Sequence, residues 1–471
     1  MSGIFGVVSE RDCVQDLFYG TDYHSHLGTG YGGLAILPRR GRVPELQTHG
    51  ISRKPFRSQF EEFVGKTRGR AGIGAIGDYE RQPILSESHL GTYAVVHVGK
   101  ISNLRQLVNE AKARRVDFSQ MTGNSANPVG LITSLIAQRD NLVEGVESVW
   151  GSIEGSSSML LLRREKGRGV IYVARDRLGR TPVIIGKKQG AMAATLESCA
   201  FPNLGFEIER ELGPGEIGRL TEGGYEQLKP GSDSMQICAF LWIYFGYPAS
   251  SYEGINVEES RYRCGAVHGR LDEAAGLEID SVAGIPDSGT GHALGYSNER
   301  RTFHTRPDVK YTPTWPRSFM PQDQSVRDLV AKMKLIPIRE LIEGKRLLFC
   351  EDSIVRGTQL KDTIQRLYDA GAKEVHMRPA CPPLTFGCRF LNFSRSRNQN
   401  VLAARRAIRK IEGRDDYDIA PYLDEGSQQF ARMVDVIRED LKLTSLRYQK
   451  LDDLVSAISL PREKLCLGCW R

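Results

Sequence analysis

The chain has 471 residues, of which 40% are hydrophobic and 26% are charged. This length is too great for one ordinary hydrophobic core and suggests about two to four domains, and this composition excludes disorder as the main state. The 64 Lys and Arg residues exceed the 57 Asp and Glu residues, for a net charge of +7, but they are spread along the chain. Because no recognised nucleic-acid-binding module accompanies this charge, we predict no nucleic-acid partner.

The N-terminal sequence and the cysteine count predict the compartment. No run of roughly 18 apolar residues occurs, so no transmembrane helix and no membrane partner are predicted. The N-terminus lacks a charged region followed by an apolar stretch, so it does not resemble a signal peptide. Nine cysteines are an odd count, which favours free thiols or metal ligands over a disulfide framework. These features predict a cytoplasmic protein.

The first part of the chain, residues 1–230, is predicted to be rich in β-strands. Short β-branched runs recur there between glycine-rich turns, and one helix is predicted over Asn103 to Ala113, where leucines recur at helical spacing. The predicted strands are Gly3 to Ser9, Gly32 to Leu37, Thr92 to Val98, Ser158 to Leu162, Val170 to Ala174 and Thr181 to Gly186.

Residues 231–445 show a different pattern, in which helices alternate with short apolar strands. Such alternation predicts a parallel sheet with crossover helices, and beyond Arg395 the pattern is helical to about Ile458. The last segment, residues 446–471, is predicted to be a C-terminal tail. The predicted helices are Val257 to Ala275, Ser325 to Met333 and Thr358 to Ala370, and the predicted strands are Ser281 to Ile285, Lys345 to Cys350 and Glu374 to Arg378.

The most informative segment is the predicted strand that ends at Cys350, together with the acids and the loop that follow it. Glu351 and Asp352 come at the strand end, where two carboxylates can accept hydrogen bonds from neighbouring ribose hydroxyls. Backbone amides of the next loop and of the helix N-terminus can hold a phosphate. This pattern predicts a site for a phosphorylated sugar, with a phosphate loop formed by Ser353, Ile354, Val355, Arg356, Gly357 and Thr358.

This segment resembles the phosphoribosylpyrophosphate (PRPP) loop of type I phosphoribosyltransferases. With Gly371 to Arg378 and Pro382-Pro383 downstream, it is similar to the glutamine PRPP amidotransferase family, which makes phosphoribosylamine in purine biosynthesis. One departure is Glu351, where the family normally has Asp. The resemblance implies pyrophosphate binding by Asp287, Ser288, Gly289, Lys310 and Arg317, of which the first three lie in a loop that resembles the family's pyrophosphate loop.

The resemblance extends to the first half, where Gly3 to Val7 and Asp176 to Val183 match family motifs. It implies an α+β, N-terminal-nucleophile (Ntn) hydrolase-like αββα sandwich of the class II glutamine amidotransferase type, followed by an α/β type I phosphoribosyltransferase domain. It also implies Mg²⁺ bound through Glu351 and Asp352, which with Lys310 and Arg317 form the predicted catalytic set, and PRPP and ammonia as substrates. Purine nucleotides as regulators and a homo-oligomer are further implied.

The residues that hydrolyse glutamine in this family are missing from the sequence. Ser2 stands where the family has its nucleophilic cysteine, and Val98 stands where an asparagine side chain supplies an oxyanion-hole amide. Residues that grip the two ends of glutamine in the family are replaced here by the stretch Ala75 to Glu80 and by the stretch Ser125 to Pro128. Four losses together predict that glutamine hydrolysis has been abandoned and that ammonia is used directly.

Cys466 and Cys469 form a C-x-x-C pair, which alone is ambiguous between redox, zinc and iron–sulfur chemistry. Some family members carry a structural [4Fe–4S] cluster, and their cysteine pattern matches Cys238, Cys388, Cys466 and Cys469. The resemblance therefore favours an iron–sulfur cluster over zinc or no metal.

Two other interpretations of the function stay open at this point. The lost glutaminase residues are also compatible with a regulatory protein that binds PRPP or purine nucleotides and modulates a competent paralogue. A transferase with another nitrogen nucleophile is suggested by the unusual stretch Thr312 to Pro316, which lies in the segment that resembles the family's flexible loop.

Overall fold

The computed structural model describes residues 1–39, 41, 43–113, 121–122, 125–310, 335–392 and 399–471. Within these ranges, none of the helices is both long and apolar enough to cross a membrane. Two antiparallel sheets occupy the first part of the chain, and a parallel sheet follows them.

The first part is a sandwich of two antiparallel sheets between helices, which is the predicted α+β architecture. The outer helices of the first sheet are Val14–Asp22 and Phe56–Lys66, and those of the second are Leu104–Ala113, Pro128–Ile136 and Leu142–Ser152. In order across the first sheet, the strands are Glu207–Glu211, Ile184–Lys188, Ala191–Thr195, Gly3–Ser9, Gly69–Gly77, Tyr31–Pro38 and Glu45–Gly50. Across the second they are Gly224–Lys229, Ile217–Thr221, Arg168–Ala174, Gly155–Glu165, Gly91–Ile101 and Ile84–Ser88.

The strand Gly91–Ile101 shows how alternation builds the sandwich. Ala94, Val96 and Val98 belong to the core between the two sheets, whereas Tyr93 and Val95 pack in the core beneath the outer helices. Successive side chains of a strand point to opposite faces, so one strand contributes to both cores. All of its residues from Tyr93 to Val98 are buried.

The second part is built on a four-stranded parallel sheet. Its strands, in spatial order, are Ser281–Gly284, Arg346–Glu351, Glu374–Pro379 and Ser445–Leu446. Two helices, Val257–Ala274 and Thr290–Arg300, pack together and cover one face. Helices contributing to the core on the other face are Thr358–Asp369, Ala403–Glu412 and Gln428–Asp440, with the short helix Ala420–Leu423 beside them.

The C-terminal segment returns to the first core. The helix Leu451–Ile458 packs against Val257–Ala274, and the strand Leu465–Cys466 pairs in parallel with Ile237–Cys238. A short π-helix, Leu241–Phe245, follows that pairing. The remaining short strand pairs are Ser251–Tyr252 with Ile255–Asn256, Asp308–Lys310 with Leu335–Pro337, and Met121–Thr122 with Ser125–Ala126.

The sequence-based elements agree closely with the structure, with two corrections. The strand predicted at Thr181 to Gly186 is Ile184–Lys188, because Thr181 is buried and its hydroxyl bonds instead to Ser158, 2.8 Å away. The region predicted as helical to Ile458 is interrupted by Ser445–Leu446, which forms the fourth strand of the parallel sheet. The helix predicted over Ser325 to Met333 lies outside the described residues.

A buried ion-pair network joins the parallel sheet to the helix Val257–Ala274. Asp272 accepts hydrogen bonds from Arg378 at 2.8 and 2.9 Å and from the Tyr296 hydroxyl at 2.9 Å, and Arg447 lies 2.9 Å away. Burial opposes ionisation of this carboxyl, but the Arg378 hydrogen bonds outweigh it and lower the pKa of Asp272. Arg378 is buried as well, so its charge depends on this partner.

We expect Asp272→Asn to destabilise the protein by about 3–5 kcal/mol, because it leaves the buried Arg378 guanidinium without a counter-charge. Urea unfolding followed by circular dichroism measures this loss. The matched control is Asp440→Asn, which removes the exposed partner of Lys410 and should change the free energy of unfolding by less than about 1 kcal/mol. Equal unfolding midpoints for the two variants would show that the network does not stabilise the fold.

Candidate functional site

Two strand ends of the parallel sheet place the predicted sugar site. Strands Ser281–Gly284 and Arg346–Glu351 are neighbours, with Gly284 paired to Cys350, so the loops that follow them meet at one edge. The Ser288 hydroxyl donates a 2.5 Å hydrogen bond to one carboxylate oxygen of Asp352. A Cβ on Gly289 would lie 2.4 Å from the Cys350 carbonyl oxygen, so only glycine fits this close approach.

The two acids at the strand end differ in environment although they are adjacent. The second carboxylate oxygen of Asp352 accepts a 2.6 Å hydrogen bond from the Ser353 hydroxyl. Glu351 folds back and accepts the backbone N–H of Asp352 at 3.0 Å. Burial and the neighbouring Asp352 charge raise the pKa of Glu351 well above its usual range. In the absence of a ligand, ionisation of Glu351 is therefore opposed.

The loop after the acids leads directly into the helix Thr358–Asp369. Gly357 precedes the helix with φ of +72°, a left-handed conformation that favours glycine. Ile354 is buried in the core beneath the sheet, whereas Val355 and Arg356 are exposed. The Arg406 guanidinium donates to the Arg356 carbonyl, and the Val355 carbonyl accepts the N–H of Ala403 at 2.8 Å. These contacts tie the loop to the helix Ala403–Glu412.

Of the two predicted cationic residues, only Lys310 lies in the described part of the chain. Its ammonium forms an ion pair with Asp287, next to Ser288. Arg317 lies outside the described residues. The structure thus brings Asp287, Ser288, Glu351, Asp352 and Lys310 to one edge of the sheet.

A cavity of about 620 Å³ opens beside these acids and extends to the first half of the chain. Ser288, Glu351 and Asp352 line one end, and Lys100 and Ser102 lie at its boundary with the antiparallel sandwich. Its walls between them are largely aromatic and aliphatic, with Phe240, Tyr244, Phe245, Phe386 and Leu384 among the lining residues. Sequence reasoning missed this wall because its members come from segments far apart in the chain.

The four predicted cluster cysteines converge from three segments. Cys238 and Cys466 are paired positions of two neighbouring parallel strands. The thiols of Cys388 and Cys469 share a hydrogen bond, and Cys238 and Cys466 lie close enough to contribute to the raised pKa of Cys469. The Cys388 sulfur also accepts the backbone N–H groups of Phe390 and Leu391, at 3.4 and 3.3 Å. Within the described ranges, however, no group of three or more His, Cys, Asp or Glu residues is arranged to hold a metal ion.

The position predicted for the lost nucleophile is also well defined. Ser2 is buried, and its hydroxyl lies 3.5 Å from a carboxylate oxygen of Glu80. Burial raises the pKa of Glu80 to about 7, although the nearby Met1 ammonium opposes this shift. Burial also lowers the pKa of the Met1 ammonium, which lies 3.6 Å from Asp78. An acid therefore lies near the position where the family resemblance implies a grip on a carboxylate.

Two further positions of this region have structural contacts. Val98 is fully buried in the core between the sheets, where an apolar side chain packs and offers no hydrogen bond. The Asn127 side chain caps the helix Pro128–Ile136 by accepting the N–H of Val129, and it donates to the Arg81 carbonyl at 2.8 Å. Both residues thus serve the fold of the sandwich.

Comparison with known proteins gives consistent matches. A family model described as a glutamine amidotransferase domain matches residues 71–201. The amidophosphoribosyltransferase of Synechococcus elongatus is 30% identical over 90% of this chain and 86% of its own. The amidophosphoribosyltransferase of Archaeoglobus fulgidus is 32% identical over 84% of this chain and 85% of its own.

Solved structures agree with these matches. A glutamine PRPP amidotransferase from B. subtilis, complexed with ADP and GMP, matches 99% of this chain and 96% of its own with a TM-score of 0.82 and 24% identity. A structure described as the allosteric regulatory enzyme of purine biosynthesis matches 99% of this chain and 95% of its own with a TM-score of 0.79 and 25% identity. The predicted fold, an Ntn-type sandwich followed by a phosphoribosyltransferase domain, is confirmed.

We expect Glu351→Gln to stabilise the ligand-free protein at pH 7 and to lose this advantage as the pH falls towards 4. Burial and the Asp352 charge raise the pKa of Glu351 in the folded protein, so the wild-type free energy of unfolding falls as the pH rises above the usual glutamate pKa, by up to about 1.4 kcal/mol per pH unit. Glutamine needs no proton. Urea unfolding from pH 4 to 8 measures the difference, with the exposed Glu340→Gln as control. A difference between Glu351→Gln and wild type that is independent of pH would contradict a raised pKa.

Proposed function

The chain belongs to the amidophosphoribosyltransferase family, and from this premise we propose that it transfers ammonia to C1 of PRPP, giving phosphoribosylamine and pyrophosphate. The observation that carries the proposal is the acid pair Glu351–Asp352 at a parallel strand end, with Ser288 and the Asp287–Lys310 pair beside it. Retention of all these groups at one edge favours catalysis over a purely regulatory role. The family places the protein among pentosyltransferases of purine biosynthesis.

In this proposal the acids orient the ribose and the loops hold the phosphates. Asp352, fixed by Ser288 and Ser353, accepts hydrogen bonds from ribose hydroxyls. The loop from Ser353 to Thr358 presents backbone N–H groups and a helix N-terminus to the 5-phosphate. Lys310 exchanges its pairing with Asp287 for the leaving pyrophosphate, and Ser288 and Gly289 contribute to the same subsite. Arg317 is proposed for pyrophosphate by family resemblance alone.

The acid pair also fits Mg²⁺, which proteins commonly bind through one or two carboxylates together with substrate phosphates. Glu351 and Asp352 supply two carboxyl groups at the cavity edge, and the substrate would supply the remaining oxygens. Bound there, Mg²⁺ would neutralise negative charge on the pyrophosphate as it leaves. A cation bound there would also favour the ionised form of Glu351, whose pKa burial raises.

Ammonia is proposed as the direct nitrogen source because the first half lacks the groups for glutamine hydrolysis. Ser2 lies against the Glu80 carboxyl, which would repel the carboxylate of glutamine. Val98 contributes only apolar packing where the family has an oxyanion donor, a loss of about 3–4 kcal/mol in transition-state stabilisation. Asn127 is engaged as a helix cap.

A larger nitrogen nucleophile is the second candidate, and the cavity favours it. A volume of about 620 Å³ lies in the range of small-molecule sites, and its aromatic lining could pack against an amine with an apolar body. A primary amine of this kind would attack C1 as ammonia does. Faster pyrophosphate release with an aromatic amine than with ammonium would favour this candidate.

The four converging cysteines are proposed as ligands of a [4Fe–4S] cluster. Four thiols without other donors suit iron–sulfur chemistry, and their convergence from strand pair, loop and tail supports the assignment. The thiols of Cys388 and Cys469 share a hydrogen bond, and Cys238 and Cys466 are paired positions of neighbouring strands. The cluster would link Cys238 and Cys388 to the tail residues Cys466 and Cys469 and take no part in the transfer. Regulation by purine nucleotides, a homo-oligomer and a cytoplasmic location stay predictions.

We expect the protein with Mg²⁺ and PRPP to release pyrophosphate with ammonium and not with glutamine. Asp352→Asn should lower the ammonium-dependent rate by about 10²-fold or more, because it removes the charged group that orients the ribose. Asp362→Asn, an exposed change on the adjoining helix, is the matched control. A coupled pyrophosphate assay measures all rates. No release by the wild type with ammonium, glutamine or aromatic amines would reject the transferase proposal and support a regulatory role.

We expect protein purified without oxygen to contain about four irons and four labile sulfides per chain, with a brown colour. Cys388→Ala should lose the iron and loosen the C-terminal tail, since it removes one of the four ligands. Cys13→Ala, which changes a buried cysteine of the first half, should retain the iron. Metal analysis and absorption spectra decide the outcome, and stoichiometric zinc would overturn the iron–sulfur assignment.

A further inference from the structure

The carboxyl group of Glu80 has partners from both halves of the chain. One of its oxygens lies 3.5 Å from the Ser2 hydroxyl, and the other accepts a 2.9 Å hydrogen bond from the side-chain amide of Asn392. The same Asn392 amide lies 3.4 Å from the Gly99 carbonyl oxygen. A primary carboxamide from the transferase half therefore lies beside Ser2, in the region where the family resemblance implies glutamine.

The residues before Asn392 are fixed to the same edge of the sandwich. The Lys100 ammonium donates to the Cys388 carbonyl at 2.7 Å, and the Ser102 hydroxyl donates to the Arg389 carbonyl at 2.8 Å. The Arg180 guanidinium lies over the Phe390 ring, 3.3 Å from its centroid. The five residues 388–392 thus lie along the end of the strand Gly91–Ile101.

The Glu80 side chain is buried, so its hydrogen bond with Asn392 matters more for stability than a bond at the surface would. Glu80 is only 4% exposed, and a buried carboxyl group without partners would be costly to the fold. Hydrogen bonds to charged groups are typically stronger than those between neutral groups. Loss of the Asn392 amide would therefore leave one carboxyl oxygen of Glu80 without this donor inside the protein.

We propose that the degenerate nucleophile pocket has become an interdomain latch, in which Glu80 binds the Asn392 carboxamide and fixes segment 388–392 to the sandwich. The latched segment closes the shared cavity at its sandwich end, where Lys100, Ser102 and Arg389 line it. Glu80 and Asn392 are positioning residues in this assignment, and they act without touching PRPP. The latch itself is independent of the proposed function, whereas its effect on water access rests on that function.

The test exchanges the donor and the acceptor of the hydrogen bond. Asn392→Asp places a carboxylate against Glu80, and the double variant Glu80→Gln with Asn392→Asp restores one donor and one acceptor in reversed order. Hydrogen exchange of the full-length protein is measured at pH 8, above the pKa of about 7 that burial gives Glu80. Asn203→Asp, which alters an asparagine bonded to Tyr23 within the first half, is the control.

We expect Asn392→Asp to speed exchange in the peptides covering 99–102 and 388–392 by about fivefold or more, equivalent to about 1 kcal/mol of local opening. The double variant should return exchange towards the wild-type rate, and the control should not change it. Additive effects in the double variant would show that the two side chains do not interact, and unchanged exchange in Asn392→Asp would also overturn the latch.

A second measurement tests the effect on water access. PRPP and water without any amine yield ribose 5-phosphate and pyrophosphate, so amine-free pyrophosphate release reports water at C1. Its ratio to the ammonium-dependent rate should rise in Asn392→Asp and return in the double variant. An unchanged ratio with faster exchange would overturn closure of the cavity by the latch. If the wild type releases no pyrophosphate with ammonium, the proposed function fails, and hydrogen exchange alone decides the latch.

Discussion

The repulsion between two buried, adjacent carboxyl groups determines the arrangement of the transferase site. Glu351 and Asp352 are both largely inaccessible to water, so both can be ionised only when a cation or a ligand compensates them. The hydroxyl groups of Ser288 and Ser353 donate hydrogen bonds to Asp352, and burial raises the pKa of Glu351. A cation at the site would therefore favour the ionised form of Glu351. Binding at this site would therefore depend on the charge of the ligand and not on its shape alone.

The two halves of the chain differ in how the side chains singled out in each contribute to the stability of the fold. In the sandwich, Val98 packs in the core and Asn127 caps a helix start, so both side chains stabilise the fold. In the transferase half, groups that are unfavourable for folding remain, including the buried acid pair. Retained destabilising groups are typical of functional sites, because selection for stability alone would remove them.

Local patterns explain which features the sequence could predict. The strand Arg346–Glu351 and the helix Thr358–Asp369 were predictable because an apolar run, two acids and a glycine are contiguous. The two-residue strand Ser445–Leu446 could not be, since it is extended only by its pairing with Glu374–Pro379. The cavity wall and the Glu80–Asn392 contact join positions hundreds of residues apart in the sequence. A local pattern of apolar and polar residues therefore could not predict them. The cysteine grouping was predictable only through the family resemblance.

The cavity has a consequence for the order in which the protein matures. Its lining combines Lys100 of the sandwich, Phe240 after the first cysteine, Asp352 of the sheet and Cys469 of the tail. Because Cys469 follows Lys100, Phe240 and Asp352 in the sequence, both carboxylates are synthesised before the lining of the cavity is complete. The strand Leu465–Cys466 then pairs with Ile237–Cys238, which lies more than two hundred residues earlier in the sequence and is synthesised first. The lining of the cavity is therefore complete only after the segment that contains Cys469 has been synthesised and has folded back onto the strand Ile237–Cys238.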